Sequence, residues 1–177
     1  LERIAVNVSG QQVRTELFAD QVLGVLKRAE LPATALEIEV TEHVLMRQLE
    51  HSVEQLVKLQ NRGVSIAIDD FGTGYSSLSY LKVLPIDILK IDKSFLNDYA
   101  SETGSIFIET IVKLAHTLKL QVIAEGIETQ EQFEQLRKMG CDEGQGYYMS
   151  RPQPNIEITA LLSGQTPATT TAIPTLQ

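Results

Sequence analysis

The chain has 177 residues, 43% of them hydrophobic and 21% charged, with a net charge of −8 and one cysteine, Cys141. That balance describes a single globular core with no apolar run long enough to cross a bilayer, no stretch that reads as a secretory leader, no internal disulfide and no cysteine zinc cluster. With no basic stretch and no aromatic–basic interleaving, duplex nucleic acid and an anionic membrane surface are not expected as partners, whereas a small anionic ligand accompanied by metal cations is compatible with the charge.

Leu1 stands three residues before the first apparent strand, so the chain is expected to begin inside a longer protein. Six β-type runs then alternate with helical stretches. RIAVNVS (3–9) precedes a helix over 11–30, and ALEIEVTE (35–42) precedes one over 43–62. SIAIDD (65–70) leads to a helix over 76–84, and DILKIDKS (87–94) to one over 105–118. QVIAEGIE (121–128) leads to a helix over 130–139. The weaker run GQGYYMS (144–150) leads to a short helix over 156–162. Thr129 with Gln132 has the spacing of a helix N-cap and its reciprocal partner, and Gly140 stands where a left-handed C-terminal residue belongs. Phe133, Leu136 and Met139 lie at helical spacing and form a core-facing stripe. The Thr/Pro-rich tail over 163–177 lacks periodicity and is expected to be flexible.

Strand–helix alternation of this kind predicts a parallel sheet. Successive strand side chains point to opposite faces, so the faces can be read from parity. Val6, Ile38, Val40, Ile66, Ile68, Leu89, Ile91, Val122 and Ala124 fall on an apolar face suited to packing under helices. The opposite face ends, at the C-terminal edge of each strand, in Asn7, Glu39, Asp69, Lys90 with Asp92, or Glu125. An open doubly wound sheet buries both faces under helices and does not tolerate such a set. A closed (β/α)8 barrel brings it to one mouth, where such barrels keep their chemistry. Only six strands are visible, so two are expected before Leu1.

Five carboxylates and one amide oxygen at a single mouth are hard ligands that suit Mg²⁺ or Mn²⁺. Asp69 ends its strand facing inward. Asp70 is read as having just left the strand, with Gly72 and Gly74 freeing the loop to swing its carboxylate to the same place. The two could hold a pair of ions of the kind that clamps attacking and leaving oxygens in phosphoester hydrolysis. Lys90 puts an ammonium beside them, able to hold or help deprotonate a water, or to steady phosphoryl charge. Glu42 and Glu128, each three residues beyond an inward glutamate, could bind a loop or lie solvated. Tyr147 and Tyr148 could stack on a base, packing being the commoner role for such residues.

The segments NVSGQQ (7–12), LEIEVTE (36–42), DDFGTGYSSLSYLKVLPIDILKIDKSF (69–95), AEGIET (124–129) and GCDEGQGYYMSRP (140–152) resemble the EAL family of cyclic di-GMP phosphodiesterases, in family order. The resemblance implies a TIM-like barrel over 1–162. It also implies two Mg²⁺ or Mn²⁺ ions and opening of cyclic di-GMP to linear 5′-pGpG by attack of an activated water on one phosphorus. It makes Asn7, Glu39 and Asp69 ligands of one metal and sets Asp69, Asp70, Asp92 and Glu125 around the pair. Lys90, Glu125 and Asp70 are the implied catalytic groups, and Glu128 and Gln145 lie near the same centre. Glu42 is the implied anchor of the loop carrying DFGTG, and Ser9, Gln12 and Tyr147 are candidate substrate contacts. The Glu-Ala-Leu segment that names the family, with its metal-binding glutamate, is expected upstream of Leu1, so this chain by itself is expected to lack one metal ligand and one wall of the substrate site, and with them activity. Upstream sensory or GGDEF-type domains, a cytoplasmic setting and a possible homodimer are further implications. A nonhydrolysing cyclic di-GMP receptor is the alternative.

Overall fold

In the computed structural model, which describes residues 3–47, 49–72, 81–99 and 101–163, the strands run parallel in chain order. They are β1 (Ile4–Asn7), β2 (Leu36–Thr41), β3 (Ser65–Phe71), β4 (Ile88–Ile91), β5 (Gln121–Ala124) and β6 (Glu143–Gly144). The helices among the described residues are α1 (Gly10–Val13), α2 (Phe18–Arg28), α3 (Glu42–Arg47), α4 (Leu49–Gln60), α5 (Glu102–Thr117), α6 (Gln130–Met139) and α7 (Asn155–Leu162).

Strand parity divides the interior into two cores. Ile38, Val40, Ile66, Ile68, Leu89, Ile91, Val122 and Ala124 join one cluster with Leu45 of α3, Leu56 and Leu59 of α4, Ile108 and Val112 of α5, and Leu136 of α6. Residues of the other parity, Ala67, Ile88 and Ile123, form a small separate cluster on the opposite face. A sheet with a helix-covered outside and an inside of its own is a curled one. Arg3 shows the curl directly. Its Nε lies 2.7 Å from Glu37 of β2, while an Nη lies 3.4 Å from Glu143 of β6, at the far end of the strand order. Gln121 donates to the same Glu143 oxygen at 2.6 Å. At β1 the expected apolar face is uncovered among the described residues, with Ile4 and Val6 46% and 42% exposed.

Several elements depart from the sequence expectation. The helix over 11–30 is two helices, because Ser9 and Gln12 close a capping box on α1, whereas α2 starts afresh. The Ala19 amide of α2 donates to the side chain of buried Gln55, 36 residues away (3.2 Å). The helix over 43–62 begins at Glu42 with α3, and α4 ends it at Gln60. The sixth strand is Glu143–Gly144 and not 144–150. Beyond it the chain turns, as Ile127 exchanges backbone hydrogen bonds with Gln145 and Tyr148. The helix over 130–139 agrees, with the Thr129–Gln132 capping box and a left-handed Gly140 (φ +92°). The expected helix over 76–84 falls mainly on residues outside those described, and so does the tail after Ser163.

Candidate active site

Two adjacent aspartates can face one place because β3 carries an extra residue. Ile68 is in register with Leu89 and Phe71 with Ile91, so Asp69 and Asp70 together oppose Lys90 alone. This is a β-bulge, which re-aims side chains at strand ends. Asp70 takes a left-handed conformation (φ +54°), and its amide donates to Asp69 Oδ1 at 3.0 Å. Asp70 therefore still belongs to β3, and the bulge accounts for its aim where the sequence reading invoked glycine freedom. Gly74 lies outside the described residues. One carboxylate oxygen each from Asp69, Asp70 and Glu125 lie within 4.8 Å of one another.

Lys90, 2% exposed, sits at the centre of the acids. Its ammonium donates to Glu39 Oε1, lies 2.5 Å from Glu125 Oε1 and stands 3.6 Å from Asp69 Oδ1. Burial opposes its charge, but the hydrogen bonds to Glu125 and Glu39 outweigh that and hold its pKa above the ordinary lysine value. In this arrangement Lys90 is a charged donor held among the acids. The single ammonium does not satisfy its neighbours. Burial raises the pKa of Glu125 in spite of Lys90, with Asp69 and Glu39 adding repulsion. Burial also raises that of Asp70, with Asp69 and then Asp92 adding to it. Asp92 behaves differently. Although burial acts to raise its pKa, hydrogen bonds from Ser94 and the Lys93 backbone bring it below the usual range, since its carboxylate caps the 3-10 turn Lys93–Asn97.

Lys90, with Lys93 beside Asp92, still leaves the five carboxylates a surplus of negative charge, and oxygen donors are the chemistry a divalent cation of the Mg²⁺ or Mn²⁺ type takes. The residues present fit such a group. Asn7 ends β1 in register with Glu39, on the exposed rim. Glu39 and Asp92 lie outside the trio of converging carboxylates.

The remaining candidates sit around this centre. Glu42 is 4% exposed, and its Oε2 accepts the Gly72 amide at 3.1 Å, tying α3 to the end of β3. Asp92, Lys93, Glu125, Gly126, Glu128, Gln145, Gly146 and Tyr147 line a cavity of about 350 Å³. Lys93 is a cation there that spacing alone does not single out. The Glu128 amide donates to Gln132 at the head of α6, and the Gln145 amide donates to the carbonyl of Ala124. Tyr147 is 55% exposed and carries the Arg151 guanidinium 4.9 Å from its ring centre. Tyr148 packs on Phe133. The side chains of Ser9 and Gln12 are engaged with each other at 2.7 Å in the α1 cap.

Comparison with known proteins identifies the family of the chain. Residues 1–152 match the EAL domain family. The cyclic di-GMP phosphodiesterase NbdA of Pseudomonas aeruginosa is 44% identical over 153 residues, which cover 86% of this chain and 20% of that protein. The c-di-GMP complex of the phosphodiesterase MucR superposes with a TM-score of 0.82 at 43% identity, over 88% of this chain and 64% of that one. A manganese/cy-diGMP complex of Klebsiella pneumoniae BlrP1 gives 0.79 at 31% identity, over 85% of this chain and 39% of the other. The chain thus spans about a fifth of the length of the curated relatives it matches. Its strand order, curled parallel sheet and matched residues make it a member of the EAL domain family.

Proposed function

We propose that this chain supplies the metal-dependent site of a phosphodiesterase that opens cyclic di-GMP to linear 5′-pGpG. The observation that carries the reading is the excess of carboxylate over cation around Lys90 at the strand C-termini, in a chain of this family. Mg²⁺ or Mn²⁺, when bound, would supply positive charge to the phosphoryl oxygens and acidify a water. The BlrP1 manganese complex supports that choice of group. Asn7, Glu39 and Asp69 are the residues to hold one ion, and Asp69, Asp70, Asp92 and Glu125 those to hold its neighbour, with Glu128 and Gln145 farther out. Lys90, kept charged by Glu125 and Glu39, donates to an oxygen at the reacting centre and steadies developing negative charge. Asp70 and Glu125 are the groups able to take a proton. Glu42 holds the end of β3 in place through Gly72.

The cavity beside Glu125 and Tyr147 offers room for part of the dinucleotide, with Lys93 as a nearby cation. Ser9, Gln12 and Tyr147 remain the proposed substrate contacts, the first two only if the α1 cap rearranges. The relatives' greater length supports a parent protein with further domains. MucR is named a bifunctional diguanylate cyclase and phosphodiesterase, which supports a GGDEF-type neighbour. No helix among the described residues is long and apolar enough to cross a membrane. We assign the domain to the cytoplasm, where its substrate acts as a messenger, and leave pairing into a homodimer as part of the same proposal.

The test is to incubate the full-length protein with cyclic di-GMP and Mg²⁺ or Mn²⁺ and to follow pGpG by chromatography. Product should form and should stop on chelation. Tight binding with no product at any metal concentration would replace the enzyme by a receptor.

A further inference from the structure

Just past the end of β3, two residues after Asp70, stands a glycine held from two sides. The Gly72 amide donates to buried Glu42, and its φ of +91° is one that favours glycine. On the other side lies Phe95. A Cβ built on Gly72 would fall 2.6 Å from Phe95 Cζ and 2.9 Å from Cε2, so the ring tip rests directly against the Gly72 backbone. Phe95 belongs to the 3-10 turn capped by Asp92, and its ring stacks on Phe107 of α5 with centroids 5.2 Å apart and planes 18° apart. Phe107 is 48% exposed. It therefore adds little to the core, yet it is the outermost member of a set of contacts, Phe107 on Phe95 and Phe95 on Gly72, that ends two residues from Asp70.

We propose that Phe107 is a positioning residue for the Asp69–Asp70 pair: by stacking on Phe95 it keeps that ring seated on Gly72 and so holds the bulge in its left-handed form. The proposal rests on the reading that this pair binds divalent cations. A non-glycine residue at φ +54° is held there by its surroundings. Here these include the Asp69 carboxylate on the Asp70 amide, the pairing of buried Phe71 with Ile91, Glu42 on the Gly72 amide, and the two-ring stack on the other side of Gly72. Without Phe107, Phe95 loses its stacking partner on the solvent side and can rotate away from Gly72. Because Phe107 is half exposed, its truncation leaves no closed cavity, and the fold survives.

The test compares Phe107→Ala and Phe107→Tyr in the full-length protein by hydrogen exchange and by calorimetric titration with Mn²⁺. In F107A the Gly72 amide should exchange about tenfold faster and Mn²⁺ should bind about tenfold more weakly, while amides of β2 and β5 keep their protection. F107Y, which keeps the stack, should stay close to the parent on both. Unchanged exchange at Gly72, unchanged Mn²⁺ affinity, or acceleration spread evenly over the sheet would each overturn the proposal. If the parent protein takes up no Mn²⁺, the metal reading fails by itself, and the exchange at Gly72 alone decides whether Phe107 holds the bulge.

Discussion

Glu37 and Glu39 stand two residues apart on the inward face of β2, and both are nearly removed from solvent, at 2% and 5% exposure. They are nonetheless different in kind. Glu37, toward the N-terminal end of the strands, has Arg3 2.7 Å away as a near partner, which offsets part of the rise that burial gives its pKa, and among the described residues that arginine's other acid is the half-exposed Glu143. Glu39, at the rim, shares one lysine with Glu125 and Asp69, while Asp70 and Asp92 stand close by. A buried acid with its own cation is an internal ion pair, which other side chains could replace at modest cost. A buried acid sharing a cation among several suits a further cation. On the proposed function, the imbalance and not the burial distinguishes the site end of the sheet.

Exchanging one acid at each end tests that distinction, and the rim should give the larger effect. Asp69→Asn removes a carboxylate from the converging trio, so turnover should fall about 10³-fold, or ~4 kcal/mol of transition-state stabilisation. The melting temperature of the metal-free protein should hold or rise, since a repelling charge has gone. A large loss of metal-free stability instead would make Asp69 part of a structural network. Glu37→Gln at the base should do the reverse. It leaves Arg3 without its near partner and should lower stability by about 1–3 kcal/mol, seen in denaturant melts, while kcat/KM stays within about threefold. A turnover loss matching that of Asp69→Asn would erase the distinction between the two ends.

How much of this could be read from the chain depends on the range of the interactions. Strand parity is local, so Ala67, Ile88 and Ile123 fall on the inner face and Ile66, Ile68, Leu89 and Ile91 on the outer one as the alternation requires. The α6 boundaries were legible for the same reason, Thr129, Gln132 and Gly140 acting within one helix. The bulge was not. It exists because β4 offers one residue where β3 offers two, a property of the pairing and not of DDFG. The break before α2 was half legible. Ser9 and Gln12 have capping-box spacing, but the Gln55 that receives α2 comes from another helix. At 144–150 the aromatic pair suggests a strand, yet a Cβ on Gly146 would meet the Ile127 carbonyl oxygen at 2.1 Å, and that close backbone approach sets the turn. Among the site candidates, Lys90 amid Glu39, Asp69 and Glu125 follows from parity, whereas the Phe95–Phe107 stack depends on tertiary contact alone.

The smallest effect concerns Cys141, which reports on the base without taking part in the rim. It lies just before β6, is 6% exposed, and burial, with Asp142 beside it, pushes its thiol up to about 12 from an ordinary 9.0. The thiolate is the reactive form, so the folded protein should resist iodoacetamide at pH 8 and label only when it opens. The sign of the pH dependence follows. A raised thiol pKa lends stability that is complete below pH 9.0 and is lost as pH climbs toward 12, so labelling should accelerate across that window. Labelling at pH 8 then separates the two glutamate environments by a route independent of activity. Glu37→Gln should speed it by about 5- to 150-fold, the factor that 1–3 kcal/mol of lost stability implies, whereas Asp69→Asn should leave it unchanged or slower. Fast labelling of the unmodified protein would show that the base opens locally, and the ion pair of Arg3 with Glu37 would then not be what holds that end of the sheet closed.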